Sequence, residues 1–250
     1  MINILIPLGG KTTFFDSEEY PFPKPVIEIN GKPMIELVLA NFLKMKRDKK
    51  FIFIVKEEDC NKYHLDNTLK LLTNSNCHII KLIGETKGAV CSALMAVEYI
   101  NNNDQLIISN GDQIIDGDFD AFINSFEKRK VDAGVICFES VHPKWSYVRL
   151  DENNKVIQTA EKNPISKNAI AGLYYFRQGS LFIQAAMSSV EKEASVGGLY
   201  YVAPVYNELV LENKNLEIIR IRPEQYHSFY SPQKIKEYEE SIKNESRKAR

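Results

Sequence analysis

The sequence predicts a Rossmann-like α/β fold with a mixed, mostly parallel central sheet flanked by helices. Short apolar runs at residues 2–7, 51–55, 78–83 and 106–109 alternate with stretches of helical periodicity. Continuous apolar strands separated by helices are typical of parallel sheets that are covered on both faces. Beyond about residue 130, short strand-like segments joined by turns replace this alternation, so we expect the sheet to become mixed there.

In the first half of the chain, the four apolar runs are the predicted strands. Apolar residues at helical spacing predict a helix over residues 34–46 and another over residues 88–101. In the second half, strands are predicted at 132–138, 146–150, 156–160, 171–176 and 216–221, and helices at 179–190, 200–213 and 232–250. The last helix is highly charged and has few core-facing residues, so we expect its end to be a solvated tail.

Composition limits the classes of protein that the chain can belong to. It has 250 residues, 44% of them hydrophobic, which suffices for a sizeable core and excludes wholesale disorder. Because 32 basic and 33 acidic residues leave a formal charge of −1, a general nucleic-acid binder is not expected. No apolar run approaches the roughly 20 residues of a membrane helix, and the N-terminus lacks signal-peptide features. The four widely spaced cysteines predict a reduced, cytoplasmic protein.

A glycine-containing loop follows the first predicted strand. Its residues 7–13 read PLGGKTT, in which Gly9 and Gly10 let backbone N–H groups approach an anion closely. A Walker loop needs a glycine five positions before Gly10, where this chain has Leu5, and the GxGxxG dinucleotide fingerprint is absent as well. Taken alone, the loop could be an anion site or an ordinary turn.

The next segment holds one lysine in a restricted backbone. Residues 20–25 read YPFPKP, so three prolines bracket Lys24 and largely fix where its side chain is placed. A short strand over residues 26–29, an Asn30-Gly31 turn and a helix opened by Pro33 are predicted to follow.

This order of motifs resembles the sugar-phosphate nucleotidylyltransferase family, in which a glycine-rich loop precedes a PKP–strand–GKPMI segment. Residues 85–89 (ETKGA) resemble the segment that contacts the nucleotide base in that family, and residues 109–112 (SNGD) resemble the NGD motif whose aspartate holds Mg²⁺. Residues 145–148 (WSYV), Glu161-Lys162 and residues 171–174 (AGLY) resemble the segments that line the acceptor pocket. The likeness extends over roughly residues 3–230.

The resemblance implies a set of functional residues. Nucleoside triphosphate would be bound by Leu8, Gly9, Gly10, Lys11, Thr12, Thr13, Lys24, Glu85, Thr86 and Gly88, and a phosphorylated acceptor by Ser146, Glu161, Lys162, Gly172 and Tyr200. The catalytic residues would be Lys24, Asp112 and Lys162, with Asp112 as the Mg²⁺ ligand. In domain terms, a single domain over residues 1–250 would comprise a nucleotide-binding lobe (1–130), an acceptor-binding lobe (131–232) and a charged C-terminal helix or tail (233–250).

The reaction implied is the transfer of a nucleoside monophosphate to a phosphorylated small molecule, with release of pyrophosphate. Within the family, the chain resembles small capsule-pathway enzymes, including the CTP:phosphoglutamine cytidylyltransferase type. That likeness implies CTP as the donor and a sugar 1-phosphate or a phosphorylated amide as the acceptor. No nucleic-acid or membrane partner is expected, and a homo-oligomer is left open.

Three departures from the family pattern concern the phosphate clamp, the metal and the acceptor. Thr12 and Phe14 stand where the family has a glycine and an arginine, and an ammonium at Lys11 does not reproduce a bidentate guanidinium. Residues 228–232 have no carboxylate where many members place a second metal-binding aspartate, and Ser146 replaces the glycine of the YGV segment.

Two alternatives to a nucleotidylyltransferase are left open. Asp116 and Asp118 form a D-x-D pair, which glycosyltransferases that consume nucleotide sugars use to bind a metal, although a turn is the preferred interpretation here. The missing arginine and late aspartate are also compatible with a catalytically silent nucleotide-binding homologue.

Overall fold

The computed structural model describes residues 1–10, 14–15 and 18–248, with side chains described up to residue 244. The predicted loop residues Lys11, Thr12 and Thr13 therefore lie outside the described part of the chain. The strands are, in chain order, β1 (Ile2–Pro7), β2 (Glu28–Ile29), β3 (Lys32–Pro33), β4 (Lys49–Lys56), β5 (Cys77–Leu82), β6 (Gln105–Ser109), β7 (Gln113–Ile115), β8 (Ala133–Glu139), β9 (Ser146–Leu150), β10 (Val156–Glu161), β11 (Asn168–Phe176), β12 (Leu216–Arg220) and β13 (Tyr226–Ser228).

Helices connect most of these strands. They are α1 (Met34–Lys44), α2 (Glu57–Tyr63), α3 (Leu65–Leu72), α4 (Ala89–Leu94), α5 (Val97–Ile100), α6 (Phe119–Lys128), α7 (Gly179–Glu191), α8 (Val202–Leu211) and α9 (Pro232–Lys248). Two single 3₁₀ turns lie at Lys24–Val26 and Pro223–Gln225. No helix among these described residues combines the length and the apolar character needed to cross a membrane.

The main sheet confirms the predicted α/β class. Its continuous strand order is β10-β9-β11-β6-β1-β4-β5, and β8 pairs with both β11 and β12. The block β6-β1-β4-β5 is entirely parallel, as expected for continuous apolar strands linked by helices. The strand β11 runs antiparallel to β6, β8 and β9, so the second half of the chain makes the sheet mixed, as the change in texture after residue 130 predicts.

The core has two layers because successive strand residues point to opposite faces. On one face, Leu5 and Ile54 pack with α4, α5, α7 and α8, and on the other face Ile4 and Phe53 pack with α1, α3 and α6. A third, smaller cluster includes Ile27, Ile29, Met34, Phe229 and Ile235. Both faces of the sheet are thus covered, which keeps the parallel strands buried.

Most element predictions hold to within a few residues, but several need correction. The predicted helix over residues 88–101 is two helices, α4 and α5, because Met95 and Ala96 leave the helical hydrogen-bond pattern between them. The helices α2, α3 and α6 and the short strands β3, β7 and β13 were not predicted. The helix α6 was missed although its apolar residues Phe119, Phe122, Ile123 and Phe126 recur at helical spacing, whereas α2 and the short strands have too few apolar residues to define a period. The strand predicted over residues 26–29 is confirmed only at β2, because residues 24–26 form a 3₁₀ turn. The predicted Asn30-Gly31 turn is confirmed, and it joins β2 to β3 with positive φ at both residues.

The C-terminal helix is more than a solvated tail. Its residue Ile235 is only 6% exposed and packs in the third cluster. Glu239 accepts a hydrogen bond of 2.9 Å from the backbone N–H of Asn30, so α9 also contacts the turn between β2 and β3. The helix therefore contributes to the core through its first part, and the solvated tail was expected only at its end, where residues 240–244 are mostly exposed.

Candidate active site

A cleft lies at the carboxyl ends of the parallel strands β1, β4 and β6, where open α/β sheets bind ligands. Its volume is about 650 Å³. The residues that line it are Pro7, Leu8, Gly10, Pro21, Phe22, Pro23, Lys24, Pro25, Lys56, Glu58, Asp59, Tyr63, Ala89, Asn110, Gly111, Asp112, Ser146, Glu161, Tyr174, Tyr201 and Val202. Of the residues implied by the family resemblance, the cleft brings together Leu8, Gly10, Lys24, Asp112, Ser146 and Glu161.

An ion pair between Lys24 and Asp112 occupies the cleft wall. The N–H of Val26 donates to the Pro23 carbonyl at 2.9 Å, and this 3₁₀ turn directs Lys24 towards the strand-end carboxylate. The Lys24 Nζ lies 2.5 Å from Asp112 Oδ2, and the two side chains are 20% and 28% exposed. The ammonium also lies 5.5 Å from the centre of the Phe15 ring, which favours a cation.

The backbone of Asp112 is held independently of its side chain. Its carbonyl accepts a hydrogen bond of 2.7 Å from the N–H of Phe229, just after β13 pairs with β7. Within the described residues, no group of three His, Cys, Asp or Glu side chains could enclose a metal. Mg²⁺ is nevertheless commonly held by one or two carboxylates, with substrate phosphates and water as its other ligands. Asp112 fits that role as the protein ligand of a cation that shares its shell with a triphosphate.

Ser146 and Glu161 form a polar pair on the β9–β10 side of the cleft. They are register partners on the antiparallel strands β9 and β10, and the Ser146 hydroxyl donates to Glu161 Oε2. Burial raises the pKa of the Glu161 carboxyl, while the Ser146 hydrogen bond and the nearby Lys162 charge act in the opposite direction. Burial raises the pKa of the neighbouring Tyr174 phenol as well, and the Glu161 charge adds to that effect. This part of the cleft can therefore both donate and accept hydrogen bonds.

Lys162 does not line the described cleft but is linked to it. Its backbone has φ +54°, and its N–H donates to the Trp145 carbonyl at 3.0 Å. Its Nζ donates to the hydroxyl of Tyr201, a cleft residue, at 2.9 Å, and this hydrogen bond raises the pKa of Lys162. The lysine is thus positioned beside the cleft by its own backbone and by Tyr201.

The residues expected to contact the nucleotide base, Glu85, Thr86 and Gly88, do not line the cleft. The hydroxyl groups of Thr86 and Ser92 are hydrogen-bonded to each other at 2.6 Å. Glu85 lines an adjoining pocket of about 450 Å³ that also includes Lys56 and Glu58. A Cβ on Gly88 would lie 2.5 Å from the Tyr200 carbonyl oxygen and 2.7 Å from the Tyr200 N. The glycine is therefore required by contact with the Tyr200 backbone rather than by a ligand, and neither residue lines the cleft itself.

Gly9 and Gly172 also lie behind the cleft surface. A Cβ on Gly9 would approach Leu82 Cδ1 to 2.8 Å. Gly172 has φ +61°, and a Cβ there would come within 2.3 Å of the side chains of Asn110 and Gln113. Close packing and the positive φ therefore explain a glycine at position 172, whereas at Gly9 the contact is with the flexible end of a leucine side chain that can move aside.

Sequence reasoning missed the wall formed by β4 and α2. Lys56, Glu58, Asp59 and Tyr63 line the cleft there, and Phe22 contacts the Tyr63 ring edge to face with centroids 5.8 Å apart. Burial raises the pKa of Asp59 although the charge of Lys56 opposes it. Only their position in the sequence could have indicated these residues, because they directly follow a predicted strand of the parallel block.

The D-x-D pair and the late segment have other roles. Asp118 caps α6 by accepting from the Ala121 N–H at 3.1 Å, and Asp116 Oδ2 lies 2.9 Å from His227 Nε2. Neither aspartate lines the cleft, so the preferred interpretation as a turn is supported. In the late segment, Tyr230 packs against Lys144, whose Nζ lies 3.9 Å from the ring centre.

The fold and the cleft define a class of α/β proteins that bind a ligand at the carboxyl edge of a parallel sheet, and the Lys24–Asp112 pair suits an anionic ligand accompanied by a cation. The chain belongs to the nucleotidyl transferase family, whose model matches residues 19–201.

Similar proteins agree with this family. The chain is 28% identical over 158 residues to the bifunctional protein GlmU of Methanocaldococcus jannaschii, covering 62% of this chain and 35% of that protein. It is 24% identical over 224 residues to GlmU of Methanococcus aeolicus, covering 88% of this chain and 49% of that protein. The chain thus spans less than half the length of these curated relatives.

A solved structure shares the whole architecture. The nucleoside-diphosphate-sugar pyrophosphorylase of Vibrio cholerae superimposes with a TM-score of 0.82, covers 95% of this chain and 99% of its own, and is 24% identical. At that identity, the likeness concerns the fold.

Proposed function

We propose that the protein is a nucleotidylyltransferase that transfers a nucleoside monophosphate from a nucleoside triphosphate to a phosphorylated small molecule and releases pyrophosphate. The observation that carries this proposal is the Lys24–Asp112 pair in the cleft that Glu161 also lines. Family membership supports the same reaction class.

In this reaction a phosphate oxygen of the acceptor attacks the α-phosphorus of the triphosphate. The new P–O bond forms as the bond between the α-phosphorus and the bridging oxygen breaks, and pyrophosphate leaves with the electron pair. Because both reactants are anions, the protein mainly has to hold them together and neutralise charge. No covalent intermediate with the protein is required.

Each charged residue has a distinct role in this proposal. Lys24 would bind a phosphate oxygen of the donor, and Lys162 would neutralise the phosphate of the acceptor. Asp112 would hold Mg²⁺, which when bound supplies charge neutralisation and orientation of the phosphates. Glu161 would orient Lys162 or a donor group of the acceptor, with Ser146 fixing its carboxylate.

We assign CTP as the donor, and a sugar 1-phosphate or a phosphorylated amide such as phosphoglutamine as the acceptor, for capsule or cell-surface polysaccharide synthesis. The likeness to small capsule-pathway cytidylyltransferases supports this assignment. A further support is chemical, because Glu58 and Asp59 line the cleft and can accept a hydrogen bond from an amine. Cytosine carries such an amine, whereas uracil and thymine have a carbonyl oxygen at that position. The two-lobe division and a cytoplasmic location belong to the same proposal.

The donor is tested first by thermal unfolding with Mg²⁺ and, separately, CTP, UTP, dTTP, ATP and GTP. A ligand at 100 times its Kd stabilises the fold by about 2.7 kcal/mol, which raises the Tm of a protein of this size by roughly 5–10 °C. A rise that is largest with CTP and depends on Mg²⁺ supports the proposal. Equal rises with UTP or dTTP would overturn the CTP assignment and leave the reaction class standing.

The reaction is tested by pyrophosphate release with CTP and a panel of sugar 1-phosphates and phosphoglutamine. Glu152 is an exposed carboxylate in the turn between β9 and β10, away from the cleft. The variant Glu152→Gln is therefore a control that should turn over substrate like the wild type. Binding of a nucleotide sugar without any response to triphosphates would favour a glycosyltransferase. Triphosphate binding without turnover of any acceptor would favour the silent homologue.

A further inference from the structure

The side chain of Gln113 lies buried beneath the cleft, directly after Asp112 in the chain. It is only 3% exposed and does not line the cleft. Its Oε1 accepts two hydrogen bonds, one of 3.1 Å from the Tyr226 hydroxyl and one of 3.4 Å from Asn110 Nδ2. A single buried oxygen therefore links a cleft residue to the late strand β13.

Asn110 is the member of this group that reaches the ligand space. It lines the cleft, and its backbone N–H donates to the Gly172 carbonyl at 3.0 Å. This hydrogen bond turns the Nδ2 end of the Asn110 amide towards the buried Gln113, so that Oδ1, at the other end of the amide, can accept a hydrogen bond from a ligand beside Asp112. The absence of a Cβ at Gly172 makes this arrangement possible, since that atom would lie 2.3 Å from both amide side chains.

Tyr226 fixes the other side of Gln113. Its ring stacks on Phe138 with centroids 4.5 Å apart and meets Trp145 at 5.5 Å, next to the cleft residue Ser146. The strand that carries Tyr226 pairs with β7, where Ser228 is the register partner of Gln113. The position of the Gln113 amide is thus determined from two directions.

Core packing alone does not explain a glutamine at this place. Among the described residues, Gln113 Nε2 is buried and has no hydrogen-bond partner, which costs free energy that an apolar side chain of similar volume would avoid. The Oε1 atom of the same amide accepts both hydrogen bonds described above, from Tyr226 and from Asn110. Accepting these bonds is therefore what a glutamine provides at this position.

We infer that Gln113 is a positioning residue: it fixes the Asn110 side chain so that Oδ1 faces a hydrogen-bond donor of the bound substrates beside Asp112. The inference rests on the proposed nucleotidyl transfer for its kinetic consequence, but not for its geometry. The substrate group concerned is a neutral donor, a hydroxyl or an amide N–H, since a phosphate oxygen would be repelled by a carbonyl oxygen.

The first test compares Gln113→Met with Gln225→Met. Both substitutions keep the volume of the side chain. Gln113 lies on β7 and contacts Tyr226 of β13, whereas Gln225, in the 3₁₀ turn just before β13, donates from Nε2 to the carbonyl of Asp116, just after β7, at 2.6 Å. We expect kcat/KM to fall about 10- to 100-fold in Gln113→Met and to stay within twofold of the wild type in Gln225→Met, at similar Tm. Equal kinetic losses in the two variants, or no loss in either, would show that Gln113 has only a structural role.

A double-mutant cycle with Asn110→Ala asks whether Gln113 acts through Asn110. If it does, Gln113→Met has little further effect on kcat/KM once Asn110 is truncated, so the two losses do not multiply. Independent losses that multiply would contradict the inference.

A third measurement does not depend on turnover. In ¹⁵N-labelled protein, the side-chain amide resonances of Asn110 should shift and exchange faster with water in Gln113→Met but not in Gln225→Met. If the wild type turns over no substrate pair, the proposed function fails, and the positioning of Asn110 is still decided by this spectrum. Unchanged Asn110 resonances in Gln113→Met would overturn the inference whatever the activity.

Discussion

Lys24 and Asp112 form an ion pair in the cleft, so each side chain neutralises the charge of the other. Both side chains are partly buried and have lost part of their contact with water. Their 2.5 Å contact places an ammonium group, which would bind a triphosphate, beside a carboxylate, which would bind the accompanying metal. Substituting either residue leaves the other without its ion-pair partner. The two substitutions are expected to affect different steps.

Lys24→Ala should weaken the binding of triphosphate by about 1.5–3 kcal/mol, the cost of a lost hydrogen bond to a charged group. That cost corresponds to a rise in Kd of roughly 10- to 150-fold. Isothermal titration with CTP and Mg²⁺ measures it. Lys32→Ala, an exposed lysine on the neighbouring strand β3, is the control and should bind like the wild type.

Asp112→Ala should abolish metal-dependent turnover with little change in Tm. The backbone contact to Phe229 that anchors this segment involves the carbonyl of Asp112 and is retained in the variant. Pyrophosphate release across a Mg²⁺ series measures the loss. In the control Asp116→Ala, a carboxylate outside the cleft is removed, and turnover should persist. The reverse pattern would support a metal site at the D-x-D pair.

Glu161 should make the stability of the protein depend on pH. Because burial raises the pKa of this carboxyl in the folded state, the folded protein binds the proton more tightly than the unfolded chain. The free energy of unfolding should then fall as the pH rises from about 4.3, the unfolded value, through the raised folded value. Glu161→Gln removes this contribution, so the difference in Tm between the variant and the wild type should grow over that window.

Ser146→Ala provides the complementary measurement. The Ser146 hydroxyl stabilises the ionised form of Glu161, so its removal should move the same window to higher pH. A Tm difference that does not change between pH 4 and pH 8 in either variant would show that the Glu161 pKa is not raised.

Two backbone hydrogen bonds join the segment before α8 to the start of α4. The Tyr200 N–H donates to the Lys87 carbonyl at 2.8 Å, and the Val90 N–H donates to the Tyr200 carbonyl at 3.1 Å. Gly88 lies between these two hydrogen bonds and has φ +106°. The contact determines where α8 begins, and hence where Tyr201 stands in the cleft.

Gly88→Ala should therefore be strongly destabilising. A Cβ would meet backbone atoms at 2.5–2.7 Å, and backbone cannot move aside as a flexible side chain can. Gly84→Ala is the control, because Gly84 has a similarly positive φ of +80° but open space around it. The control should lose about 1–2 kcal/mol from backbone strain, and Gly88→Ala clearly more. Similar denaturant midpoints for the two variants would contradict the close contact.

At the scale of the whole molecule, α9 supports the N-terminal half of the cleft. Ile235 packs with Phe229, Ile27 and Ile29, the residues that flank the Asp112 anchor and the Lys24 turn. The helix α9, near the end of the chain, thus packs against Ile27 and Ile29, which belong to the first 30 residues. The charged composition of α9 conceals this role.

Ile235→Ala should cost about 2–5 kcal/mol of stability, as for other buried aliphatic truncations. Lys236→Ala, an exposed neighbour on the same helix, should change the free energy of unfolding by less than about 0.5 kcal/mol. Urea unfolding of both variants measures the difference. If the two variants unfold alike, α9 does not contribute to the core.

Much of the fold could be predicted from the sequence because its strongest signals are local. The runs that became β1, β4, β5 and β6 are apolar and continuous, and their helices carry a clear period. The turn at Asn30-Gly31 was predictable for the same reason, since its conformation depends on two residues. The helix α2 was not predictable in this way, because it buries little apolar surface of its own and gains stability from tertiary packing. The apolar residues of α6 do recur at helical spacing, so this helix was predictable although it was not predicted.

For the candidate site, the family motifs predicted Lys24, Asp112, Ser146 and Glu161 one by one, and the structure places all four in one cleft. Only the tertiary structure shows that Lys24 and Asp112 touch, although they are 88 residues apart, that Gly88 leaves room for the Tyr200 backbone and that Gly172 leaves room for the Asn110 and Gln113 side chains. It also decided that the β4–α2 wall and Gln113 belong to the cleft and its support. The physical reason is that conformational preference and periodicity act between residues near in sequence, whereas contacts at a sheet edge depend on strand order and on the close approach of distant backbones.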